Sequence, residues 1–208
     1  MLRATDEELM IAKNLVDKMF SNNFMMAISE YDGLYLWKRE NQTIINEEGL
    51  SFHTGATKIC ICSDNLDKWV IKVSMTKIDY CTIEYNNYLK AITAGVEDFF
   101  ATTILLEKIE NVLVYLQEKT QVDQDCISDR FVSWVRDTKG FTWSDDEIIA
   151  EADYLEDDER LEAVFGADLT DELLNFIEEN DINDLHEANY GFLKDGRPVI
   201  FDFSGFND

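Results

Sequence analysis

Basic residues are scarce in this chain. Its 208 residues include 18 Lys and Arg against 43 Asp and Glu, a formal net charge of −25. A nucleic-acid backbone is gripped by clustered Lys and Arg, and an anionic membrane surface attracts the same residues. Binding to either by the general surface is therefore excluded. Long apolar runs are missing as well. Residues 1–20 interleave their apolar positions with Asp6, Glu7, Glu8, Lys13, Asp17 and Lys18, so no signal-peptide core is expected. No stretch approaches the roughly 18–20 apolar residues of a membrane span. Histidine is limited to His53 and His186, and Cys60, Cys62, Cys81 and Cys126 lack C-x-x-C spacing. That argues against a structural zinc site and for reduced cysteines packed as small hydrophobes. A cytoplasmic protein is expected. The chain also has one proline, no low-complexity tract and no internal repeat. It has no G-x-x-x-x-G-K-[ST], so a P-loop NTPase is not supported.

What is present is enough to fold. The hydrophobic fraction is 46% and the aromatic fraction 12%, richer than a disordered acidic chain. One domain or two small lobes are expected. Thr5-Asp6-Glu7-Glu8 forms a capping box, and Leu9, Ala12, Val16 and Phe20 recur behind it at helical spacing. Residues 24–62 read as strands punctuated by Asp32-Gly33 and Glu48-Gly49. Residues 57–63 and 68–74 read as a hairpin around Ser63-Asp64-Asn65. Its second strand, Trp69-Val70-Ile71-Lys72-Val73, is a buried β-branched run containing one Lys. Asp79 is placed to cap a helix whose stripe is Cys81, Glu84, Tyr85, Tyr88 and Ile92. Residues 99–106 and 112–116 read as two further strands.

Beyond Gln117 the pattern turns helical. Ile127, Phe131 and Trp134 mark one stripe. Ser144-x-x-Glu147 is a second capping box, with Gly166 as a stop. Leu173, Leu174 and Ile177 mark a helix over 170–180. Two closing strands, around 190–193 and 199–202, flank a hairpin turn at Lys194-Asp195-Gly196-Arg197.

The most informative segment is Asp184-Leu185-His186-Glu187-Ala188-Asn189, followed by Asp202-Phe203-Ser204-Gly205. Asp184 and Asn189 are five residues apart, and Asn189 and Asp202, thirteen apart, bracket the hairpin. A hairpin returns its ends to one place, so an Asp, an Asn and a second Asp are expected at one mouth. Hard oxygen donors of this kind suit Mg²⁺ carrying a nucleotide phosphate.

These residues resemble the protein-kinase-like superfamily. Asp184-Leu185-x-x-x-Asn189 is similar to its catalytic loop, and Asp202-Phe203-Ser204 to its metal-binding D-F-G motif with Ser in the Gly position. The D-L-H-x-x-N form is similar to that of small bacterial and tailed-phage serine/threonine kinase-like proteins. Val70-Ile71-Lys72 resembles the V-A-I-K strand. The resemblance implies an α+β, minimal two-lobed kinase-like fold. Residues 1–118 would form an N-lobe of antiparallel sheet with one helix plus the N-terminal helix. Residues 119–208 would form a reduced helical C-lobe with the catalytic loop and the metal-binding hairpin.

It also implies ATP and Mg²⁺ as cofactors. Lys72 would hold the nucleotide phosphates and Glu84 would pair with Lys72, with Glu97 a weaker rival. Asn189 and Asp202 would hold the metal. Asp184 would orient the acceptor hydroxyl and accept its proton. Residues Ser51, Thr54 and Gly55 would lie over the phosphates, although Gly49 to Gly55 carries two glycines, not the three of G-x-G-x-x-G. His186 reads as a catalytic aid or as a hydrogen-bonded structural residue of the loop.

The sequence given stops six residues after Asp202, so the resemblance does not extend to an activation segment or an A-P-E motif. Residues 144–187 hold 18 acidic residues and one basic, Arg160, or −17 of the −25. That run reads as a solvated face, as a docking surface for a basic protein substrate or partner, or as a mimic of nucleic-acid charge. Three functions are consistent with this sequence. The first is a phosphotransferase acting on Ser/Thr of a protein or on itself. The second is a kinase-like binding module that engages a basic partner without transfer. The third keeps the nucleotide chemistry but transfers a nucleotidyl group or acts on a small molecule.

Overall fold

The structure, a computed structural model, describes residues 3–30, 32–76, 78–109, 112–121, 166–183 and 189–205. The chain divides into two compact units, Met1–Tyr85 with Thr102–Glu118, and Asn86–Ala101 with Lys119–Asp208. The described residues make an α+β protein with a five-stranded antiparallel sheet and several helices.

The first unit opens with α1 (Asp6–Ser21). The Thr5 hydroxyl accepts from Glu8 N at 3.1 Å and Glu8 Oε2 accepts from Thr5 N at 2.7 Å, so the expected capping box is made. Three short helices follow, α2 (Phe24–Ile28), α3 (Gly33–Glu40) and α4 (Gln42–Glu48). Here the structure corrects the expectation of strands. The runs between Asn and Gly punctuation are only five to eight residues long, and at that length helical and strand patterns overlap. Asn23 and Asp32 take positive φ at two of the helix starts. The Trp37 indole donates to Asn22 O at 2.7 Å and stands edge-on to Phe24 at 4.9 Å.

The sheet consists of β1 (Ser51–Thr54), β2 (Lys58–Cys62), β3 (Trp69–Ser74), β4 (Thr103–Ile109) and β5 (Val112–Glu118), in spatial order β1-β2-β3-β5-β4. Side chains alternate across it. Ile59, Ile61, Trp69, Ile71, Val73, Val114 and Leu116 are buried with Ala12, Leu15, Val16 and Met19 of α1. Each such fully buried aliphatic side chain contributes about 1.5–3 kcal/mol. The opposite face carries Lys58, Lys72, Tyr115 and Gln117. Against it lies the start of α5 (Tyr80–Ala94). The Asp79 carboxylate accepts from Thr82 N at 3.2 Å, as a cap should, and from Leu113 N at 3.1 Å, which ties the helix start to β5.

In the second unit, the later residues of α5 supply Tyr88 and Ala91 to a core with Phe99, Phe100, Leu173, Phe176, Ile200 and Phe203. Ile92, expected on the buried stripe, is exposed, and Ala91 is buried in its place. Glu97–Phe99 is a single 3-10 turn, so the strand expected from residue 99 begins only at Thr103. Helix α6 (Ala167–Glu179) follows Gly166 and buries Leu173 and Phe176. The hairpin of β6 (Tyr190–Phe192) and β7 (Pro198–Ile200) closes through Leu193 N to Arg197 O at 2.8 Å and Gly196 N to Leu193 O at 2.9 Å. The stripe at Ile127, Phe131 and Trp134 and the Ser144–Glu147 capping box lie outside the described residues. Among the described residues no helix is long and apolar enough to cross a membrane.

Candidate functional site

Alternation in β2 places Ile59 and Ile61 in the core, so Lys58, Cys60 and Cys62 face the other way. The β2–β3 register sets Cys60 opposite Lys72 and Lys58 opposite Ser74. Lys58 and Lys72 are therefore diagonal neighbours on one face. Both side chains are only 3% exposed, and the Glu84 side chain is fully buried. Buried charges of this kind persist only when paired.

Glu84 supplies the partner for both. Lys72 Nζ lies 3.1 Å from Oε1, and Lys58 Nζ lies 2.5 Å from Oε2. Oε1 also accepts from the Tyr115 hydroxyl at 2.7 Å and from Gln117 Nε2 at 2.9 Å. Burial alone would push the Glu84 carboxyl up. The charges of Lys58 and Lys72, with hydrogen bonds from Lys58 and Tyr115, overrule it and bring the pKa down to about 2. The same burial, with the Glu84 charge nearby, pushes the Cys81 thiol well up, so Cys81 stays a neutral packed thiol.

The structure pairs Lys72 with Glu84. Glu97 lies on the 3-10 turn in the second unit. Lys58, Tyr115 and Gln117 were missed as members of the cluster. The signal existed, because a Lys two residues before Cys60 on an alternating strand must share its face. Likewise Tyr115 and Gln117 are polar positions alternating with Val114 and Leu116.

Ser51, Thr54 and Gly55 are exposed, on β1 and at the turn that follows it. Gly55 N donates to Lys58 O at 2.9 Å and closes that turn. Gly49 belongs to a different feature. With φ +58 it ends α4, donating to Ile45 O, and a Cβ there would fall 2.2 Å from the Asp64 carboxylate. The two glycines therefore serve a helix stop and a hairpin turn.

In the second unit the β6–β7 hairpin brings its two ends together. The Asn189 carbonyl accepts from Phe201 N at 2.9 Å and from Asp202 N at 3.3 Å. Asn189 is buried, Asp202 is half-buried, and the Ser204 hydroxyl lies 3.3 Å from Asp202 Oδ1. Phe203 is fully buried and stands edge-on to Phe100 at 5.0 Å, and its carbonyl accepts from Asn87 Nδ2 at 2.9 Å. Gly205 takes φ +68, and a Cβ there would meet Asp181 O at 2.2 Å. The segment 202–205 is thus held on both sides. Gly205 closes the segment quoted from sequence but was given no role there, and Asn87 was not singled out. Asp184, His186 and Glu187 lie outside the described residues. Among the described residues no three His, Cys, Asp or Glu side chains group as a metal site. The Asn189 and Asp202 pair supplies oxygen donors of the kind Mg²⁺ takes.

Fold and geometry define an α+β protein with a buried Lys–Glu–Lys cluster on its sheet and an Asn–Asp pair at a hairpin mouth. The chain matches no protein-family model, no curated protein and no solved structure.

Proposed function

We propose that this chain is an ATP- and Mg²⁺-dependent kinase-like phosphotransferase acting on Ser/Thr of a protein or on itself. One observation carries the reading. A Lys on the third strand of an antiparallel sheet forms an ion pair with a Glu on the helix that follows. Protein kinases use a β3 Lys and an αC Glu in this order to hold the nucleotide phosphates. The adjacency of Asn189 and Asp202 adds support.

The residues present fit the cofactor. Lys72 is a buried ammonium in a fixed pose, suited to phosphate oxygens. Glu84 is a positioning residue, since it touches Lys72 and not the phosphates. Asn189 and Asp202 would hold Mg²⁺, which when bound neutralises charge on the phosphates. Ser204 steadies the Asp202 carboxylate through Oδ1. Asp184 would orient the acceptor hydroxyl and take its proton, an effect worth about 10²–10⁴ in rate.

The test is transfer of label from γ-labelled ATP with Mg²⁺ to a basic protein and to the chain itself. The reading expects label on Ser or Thr, lowered about 100-fold or more in Asp184→Ala and Asp202→Asn. Absence of transfer, or equal transfer by the variants, overturns it.

One feature favours a second reading, a module that engages a basic partner without transfer. Asp168, Asp171, Glu172, Glu178 and Glu179 are all exposed on α6, and its last turn has no basic residue. Such a face speeds encounter with a basic partner and is screened by salt. Partner capture that weakens with salt, in a chain that moves no label, would favour this reading.

A further inference from the structure

We propose that the groove between α5 and α6 docks a basic amphipathic helix of a partner protein. This rests on the second reading above, whose acidic α6 face it narrows to a defined site, and it does not require phosphoryl transfer. Both walls belong to the second unit. Leu89, Lys90 and Thr93 stand on α5, and Phe176, Glu179 and Asn180 on α6, around a space of about 440 Å³. At spacings of three and four residues, each set shares one helix face.

The groove is apolar at its base and fixed in shape. Phe176 is 5% exposed and packs edge-on against Phe100, with ring centres 5.5 Å apart, so it forms the floor. Leu89 lines the same groove yet is 44% exposed, and Ile92, one turn on, is 37% exposed. The Thr93 hydroxyl donates to Leu89 O at 3.0 Å and is spent on its own helix. Lys90 Nζ donates to Asn180 Oδ1 at 2.8 Å, and Asn180 Nδ2 to Phe176 O at 2.8 Å, which ties α5 to α6. A side chain laid between Leu89 and Phe176 would remove apolar surface from water on both partners.

The charge of the occupant follows from the rim. Glu172 and Glu179 are both exposed on α6, and Phe176 lies between them on the same face. Seven residues apart, they are separated by two turns, or about 10 Å. The last turn of α6 has no basic residue, and Lys90 brings one cation to it from α5. A partner helix lying along α6, with Lys or Arg at i and i+7 and Leu at i+3 and i+4, would meet a carboxylate, the groove and a second carboxylate in turn. The same carboxylates repel an acidic partner.

The experiment is fluorescence anisotropy of the full chain with a labelled synthetic helix of that pattern, and with a charge-matched peptide in which Gln replaces both Leu. The parent is expected to bind the first about tenfold more tightly than the second. Leu89→Gln, and Glu172→Gln with Glu179→Gln, should each weaken the first peptide about tenfold. Asp171→Asn with Glu178→Gln removes the same charge from the side of α6 turned away from the groove, and should weaken it less than about twofold. All five replaced side chains are exposed, so each variant should keep the parent's melting temperature. Equal binding of the two peptides, equal losses in the two double variants, or unchanged affinity in Leu89→Gln overturns the groove and leaves the second reading standing on diffuse charge. If the parent binds neither peptide at low salt, both fall together.

Discussion

Lys72 on β3 and Glu84 on α5 meet at 3.1 Å, both nearly or wholly shut off from solvent. The bond joins a strand to the helix that follows it, and one carboxylate sits at its centre. Four donors converge on Glu84, three at Oε1 and Lys58 at Oε2. This cluster is a strongly specified polar feature of the first unit, and removing its acceptor has large consequences.

Glu84→Gln keeps the shape and loses the charge, leaving two lysines without the carboxylate that compensates them. Breaking a buried ion pair from one side costs about 3–5 kcal/mol. Urea unfolding of the parent and of Glu84→Gln should differ by that amount. A difference below about 1 kcal/mol, the scale of an exposed pair, would show that the cluster is not buried in solution.

The same group sets an acid limit. The Glu84 carboxyl sits at about 2 in the folded chain against an ordinary value of 4.5. Because the folded pKa is depressed, its stabilisation is fully present above the ordinary value and is lost as pH falls toward 2. The expected contribution is about 3 kcal/mol. The measurement is the difference between the parent and Glu84→Gln. That gap should be widest near neutral pH and narrow below pH 4.5.

Gly205 follows Asp202-Phe203-Ser204 with φ +68, and its Cα faces the Asp181 carbonyl. Gly205→Ala adds left-handed strain of about 1–2 kcal/mol and a clash with backbone that has no side chain to move aside. The melting temperature should fall. ATP- and Mg²⁺-dependent transfer should fall further than stability explains, because the segment that places Asp202 shifts.

Thr5→Ala removes the hydroxyl that caps α1 and receives Glu8 N. The expected loss is about 1 kcal/mol, with nucleotide affinity untouched. Chemical denaturation checks the first and titration with ATP the second.

Much of the fold was legible because local signals agreed with packing. The α1 capping box, the β2–β3 hairpin and the strand carrying Lys72 all follow from residue type and alternation. The β6–β7 hairpin followed from its turn, and its consequence, Asn189 beside Asp202, followed from topology. The helices over residues 24–48 were not legible, since Phe24, Ile28, Leu34 and Trp37 occur in runs too short to show a period. Lys58 is harder to read, since a Lys at a strand start ordinarily snorkels to solvent. Alternation puts it on the Cys60 face, and the β2–β3 register brings it to Glu84. Asn87 and Gly205 depend on neighbours far along the chain.

The central claim is that the Lys72 ammonium, held by Glu84, binds nucleotide phosphates. An ATP acyl-phosphate reagent tests it most directly, because acyl transfer to an amine releases ATP and marks the lysine that touches the phosphates. The account predicts acylation of Lys72, located by mass spectrometry and suppressed by excess ATP with Mg²⁺. Labelling confined to exposed lysines such as Lys13 and Lys68, or labelling that excess ATP leaves unchanged, would contradict it.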